Sequence, residues 1–121
     1  MNLIEEWAQA RNLGPVTNPR HFAVTFDSVR VHLLEVHPGQ LAIESRISDL
    51  PVQPTSRERS IERVMAIALG RARSSEHHVM LDEHRSAFWL QRRLPSGLQP
   101  AQLDTAVEEL INDIDLWRKA L

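Results

Sequence analysis

Cysteine is absent from the 121 residues, and so is tyrosine; glycine occurs only 4 times. Without cysteine there can be no disulfide, iron–sulfur cluster, thiolate zinc site or thiol nucleophile. Four scattered glycines leave no glycine-rich loop to cradle a phosphate. No apolar run approaches the roughly 20 residues that span a bilayer. The opening Met-Asn-Leu-Ile-Glu-Glu-Trp lacks the basic start of a signal peptide and reads as an amphipathic helix, so no leader is expected. Neither charge sign dominates: 14 Lys+Arg stand against 16 Asp+Glu, a formal −2. The basic surface of a general nucleic-acid binder is therefore missing. What is present is 42% apolar residues, enough for a core at a length that suits one domain, residues 1–121.

The pattern along the chain predicts eight elements. A helix runs from Asn2 to Leu13, opened by a capping box of Asn2 with Glu5 and stopped by Gly14-Pro15. Its stripe is Leu3, Trp7 and Ala10, with Ile4 and Ala8 beside it. Phe22, Val24 and Phe26 alternate along a first strand, and Asp27-Ser28 turns it into a second from Val29 to Val36. After the Pro38-Gly39 turn, Leu41, Ile43 and Ile47 mark a third strand that Leu50-Pro51 closes. Thr55 with Glu58 predicts a capped helix carrying Ile61, Val64, Met65, Ala68 and Ala72. His78–Asp82 and Ala87–Gln91 read as a strand pair. The last helix has Pro100 in its first turn, a Leu98/Leu103 staple, and a stripe of Leu103, Val107, Leu110, Ile111, Ile114, Trp117 and Leu121. Its acids come early and its bases late, as the helix dipole prefers. The order α-β-β-β-α-β-β-α with turns this short predicts an α+β domain, helices packed on an antiparallel sheet.

Chemistry is sparse. His77, His78 and His84 form the densest histidine group, but adjacent strand residues point to opposite faces, so no metal site is expected. The acids of the last helix belong to a solvated face, and no serine sits in a nucleophile elbow. Arg57, Arg59, Arg63, Arg71 and Arg73 gather on the middle helix without the interleaved aromatics that stack on bases, and read as a solvated basic face. The apolar surplus is the informative feature: Leu34, Val36, Met80 and Trp89 lie on strand faces opposite the main core stripe. Core residues around a bulge are one explanation; a dimer or peptide-binding surface is the other.

The layout and segment texture resemble the class I type III secretion chaperones, the Tir-chaperone (CesT) family. The resemblance covers about residues 2 to 121. It rests on the hairpin Phe22-Ala-Val-Thr-Phe-Asp-Ser28, the Leu50-Pro51 strand end, Val79-Met-Leu-Asp-Glu83 followed by Phe88-Trp-Leu-Gln-Arg-Arg-Leu94, and a last helix ending in a Trp and a basic residue. The chain departs from the family in being only slightly acidic and in its Gly70-Arg-Ala-Arg-Ser-Ser-Glu-His-His78 segment.

The resemblance implies a homodimer in the bacterial cytoplasm, non-enzymatic and without cofactor. It would bind the N-terminal region of a secreted effector, keep it soluble and extended, and present it to the secretion apparatus, with no nucleic-acid partner and no membrane insertion. A dimeric regulator or structural protein of the same fold, binding a folded partner, is the rival. The expected client-binding residues are Ile4, Leu34, Val36 and Ala42. The expected dimer interface is Ile61, Val64, Met65 and Ala68 with Met80 and Trp89.

Overall fold

The computed structural model describes residues 2–121. Its elements are α1 (Leu3–Ala10), β1 (His21–Phe26), β2 (Val29–His37), β3 (Gln40–Asp49), α2 (Pro54–Arg71), β4 (His78–Asp82), β5 (Ala87–Arg93) and α3 (Pro100–Ala120). The strands form one antiparallel sheet in the order β1-β2-β3-β5-β4. β1, β2 and β3 are a meander because their turns are short. Asp27 turns the first hairpin at φ 54 and Gly39 the second at φ 77, a conformation glycine adopts without a Cβ clash. The β4–β5 hairpin then docks with β5 inward, against β3.

One face of the sheet carries the core. Phe22 pairs with Leu33, Val24 with Val31, and Leu33 with Ile43, so these side chains share a side. Val79 pairs with Leu90 on the same side. α3 lies across this face, burying Leu103, Ala106, Val107, Leu110, Ile114 and Trp117. α1 packs beside α3 through Ile4, Trp7 and Ala8. Burying each of the leucine, isoleucine and valine side chains contributes about 1.5–3 kcal/mol.

Local details differ from the sequence expectation in four places. α1 ends at Ala10 rather than Leu13, because Asn12 (φ 56) and Gly14 (φ 85) turn the chain into the left-handed region. Its capping box is as predicted: Asn2 Oδ1 accepts from Glu5 N at 2.9 Å and Glu5 Oε1 from Asn2 N at 3.2 Å. α2 starts at Pro54 with Gln53 at the N-cap, so Thr55 and Glu58 make no capping box; proline at the first helical position fixes the start two residues earlier. Two irregularities interrupt the alternation, between Glu35 and His37 on β2 and between Arg46 and Ser48 on β3. They take Val36 and Ile47 out of the regular pairing.

Candidate functional site

Two surfaces are open for partners. The first is the sheet's outer face, which no helix covers. Its pairing brings Leu34 between His21 and Ala42, with Ala42 opposite Arg93; the next row is Ala23, His32, Glu44, Gln91 and His78. Glu44 is 4% exposed. Its carboxylate accepts from Arg85 Nη1 at 3.3 Å and from Gln91 Nε2 at 3.1 Å, which satisfies a charge that would otherwise be costly to bury. The Arg85 guanidinium lies 3.7 Å above the Trp89 ring centre, and the His32 ring meets that ring edge-on at 5.4 Å. Burial, and then the neighbouring His21, holds the His32 imidazole below its ordinary pKa; the two rings are linked from His21 Nε2 to His32 Nδ1 at 3.1 Å. The edge strands β1 and β4 each leave one side without a strand neighbour.

The second surface is the outward side of α2. Of its 18 residues only Val64 is buried. Met65 is 58% and Leu69 76% exposed. They border a cleft of about 390 Å³ shared with Ala68, Val79, His77 and Trp117.

The structure separates the residues expected to bind a client. Leu34 is half-buried on the outer face, and Val36 is half-buried at the β2 irregularity. Ile4 and Ala42 are not surface anchors: they are 1% and 0% exposed. Ile4 belongs to the core because the buried stripe of α1 is Ile4, Trp7 and Ala8, one residue round from the predicted Leu3, Trp7 and Ala10. Ala42 is too small to rise above Leu34 and the other side chains flanking it.

The expected dimer residues are divided too. Val64 is a core residue, 2% exposed, and Ile61 and Ala68 pack partly against the core. Trp89 is buried beneath Arg85 rather than free. Met80 is 41% exposed but shares the outer face with Trp89, whereas Val79 lies beside α2. β4 therefore stands between Met80 and Met65.

Sequence reasoning missed two polar centres. Asp104 on α3 accepts from Trp7 Nε1 at 3.0 Å and pairs with Arg11, tying α1 to α3. The Arg11 hydrogen bond holds this carboxyl below the usual carboxylate range. Asp113, which is buried where Asp104 is only partly so, pairs with Arg71 of α2 and with His77 Nδ1 at 2.8 Å. Arg71 is thus a tether and not part of a solvated face. Asp113 was legible in principle, since Leu110, Asp113 and Trp117 continue the apolar stripe of α3 at helical spacing. Among the described residues no three His, Cys, Asp or Glu side chains converge as metal ligands.

The fold is similar to that of chains in solved chaperone complexes. The chaperone–effector complex of HopA1 with SchA has a chain that matches with a TM-score of 0.74 at 16% identity, over 97% of this chain and 91% of that one. The Yersinia pestis type III secretion chaperone SycH, solved with a stable fragment of YscM2, matches with a TM-score of 0.69 at 23% identity, over 95% and 96%. A chain of the ExsC–ExsE complex matches with a TM-score of 0.75 at 18% identity, over 97% and 89%. No curated protein matches the sequence closely enough to count. The profile of the Tir chaperone protein (CesT) family matches residues 2–118, and the chain belongs to that family.

Proposed function

We propose that this protein is a type III secretion chaperone of the bacterial cytoplasm that acts as a homodimer without catalysing a reaction. It binds the N-terminal segment of a secreted effector, keeps it soluble and extended, and presents it for secretion. The observation that carries this reading is the family match over residues 2–118. The uncovered sheet face and two free strand edges support it, because an extended segment can meet both side-chain pockets and backbone groups there. The exposed Met65 and Leu69 of α2 support the dimer, since a second copy would remove them from water.

The test is co-expression with the protein encoded beside this gene. The expected result is a soluble complex, with the neighbour insoluble when expressed alone. A neighbour that is soluble alone and does not co-purify speaks against the reading. Within the complex, Leu34→Asp with Val36→Asp should weaken capture by an order of magnitude or more, each anchor being worth about 1–3 kcal/mol. Circular dichroism of the same preparation should be unchanged, because neither residue is in the core.

A further inference from the structure

The protein carries a net −2, yet the outer face of its sheet is cationic. Arg30 on β2 and Arg93 on β5 stand on this face and are exposed. Among the described residues Arg30 donates to Thr25 Oγ1 at 3.1 Å, and neither arginine forms an ion pair with a carboxylate. Glu44 does not answer them, because it is buried and bound to Arg85. A second observation points the same way: the Trp89 indole N–H is buried on this face and has no acceptor among the described residues, a deficit that proteins rarely leave unfilled.

We propose that the outer face receives an extended segment bearing carboxylates, its apolar side chains on Leu34 and its acids on Arg30 and Arg93. This rests on the chaperone reading for the kind of partner and adds its chemistry. Arg30 and Arg93 lie four residues and two strand spacings apart on the pairing grid, roughly 16 Å. Acids four to six positions apart on one side of an extended chain span about that distance. A carboxylate that draws Arg85 off the Trp89 ring would supply the indole N–H with its acceptor.

The probes are short blocked peptides that alternate valine with glutamate, glutamine or lysine, followed by fluorescence anisotropy. The glutamate peptide should bind roughly tenfold or more tightly than the lysine peptide at low ionic strength, and added salt should erode the difference. Arg30→Glu with Arg93→Glu should invert the order; if that variant does not fold, Arg30→Gln with Arg93→Gln should abolish it. The proposal is overturned by equal binding, by a preference for lysine, by no binding of any peptide, or by a glutamate preference that survives both variants. Each of those outcomes leaves the chaperone reading standing if the neighbouring gene product still co-purifies. Peptide selectivity without any co-purifying client overturns the chaperone reading instead.

Discussion

Asp104 shows how one side chain can hold two elements together. Its carboxylate serves both the Trp7 indole and Arg11. Asp104→Ala would strand the Trp7 N–H in the core, so a loss of about 1–3 kcal/mol is expected by urea unfolding. Leu3→Ala, on the neighbouring position of α1, should cost clearly less because Leu3 is only half-buried. His32 gives a pH dependence. It faces His21 from β1, Glu44 from β3, Arg85 from the β4–β5 turn and Arg30 on its own strand, and its pKa is lowered, first by burial. The unfolded chain, with histidine near the ordinary value of about 6.5, then binds the proton more readily than the folded one. Stability should be flat above that pH and fall as the pH drops below it. Unfolding midpoints at pH 7 and pH 5.5 should differ more for the native protein than for His32→Gln. Equal differences would show that His32 does not titrate in this way.

At the scale of elements, α2 is the loosely fastened part. It is joined to the body by one fully buried residue, Val64, by the partly buried Ile61, Ile67 and Ala68, by Arg63 donating to the Ala120 carbonyl at 2.8 Å, and by the Arg57–Glu83 and Arg71–Asp113 pairs. Asp113→Ala should therefore loosen α2 before the sheet: amide exchange in α2 should rise well before that of β3. Uniform acceleration of both would mean that Asp113 supports the whole fold instead. The same contrast explains what the sequence revealed. The stripe of α3 from Leu103 to Trp117 and the positions of β1, β4 and β5 follow the prediction because strong periodicity leaves one burial solution, whereas Leu121, past the end of the helix, is exposed. α1 is too short for that. Leu3 and Ile4 are both apolar and both one turn from Trp7, so the stripe could be placed a residue off, and Ile4 was assigned to the surface. The β3 irregularity left no signal, since Ile47 looks like an ordinary strand residue, and the surplus apolar Val36 allowed a bulge on β2 without locating it. The outer face was visible as surplus apolar residues, but the cover that Arg85 lays over Trp89 depends on a turn geometry that spacing does not encode.

Across the whole molecule, exposed charge is spread unevenly. α3 displays Glu108, Glu109 and Asp115 to solvent, while the sheet's outer face displays Arg30 and Arg93. Two of the most exposed large apolar side chains, Met65 and Leu69, stand one turn apart on α2. Light scattering should accordingly give twice 13.9 kDa for the native protein. Met65→Glu with Leu69→Glu should give the single mass with an unchanged circular dichroism spectrum, since both side chains lie outside the core. A native protein that stays monomeric at all concentrations would remove the dimer from the proposal. Trp117 tests the interior: at 2% exposure, Trp117→Ala should cost about 3–5 kcal/mol. A loss well under 1 kcal/mol would mean that the surroundings collapse into the space it leaves.

The strand order has a consequence for synthesis. β3 pairs with β5, and the core face of β2 and β3 is roofed by α3, which comes after every other element in the chain. A ribosome that has released only the three-strand meander has released a sheet with one greasy side open and its central strand half paired. α1, already translated, reaches the β1 edge through Trp7 and Phe26 but cannot roof the rest. The protein must complete its fold after the last helix emerges, so a nascent chain stalled before Pro100 should remain accessible to protease and one stalled well beyond Leu121 should not.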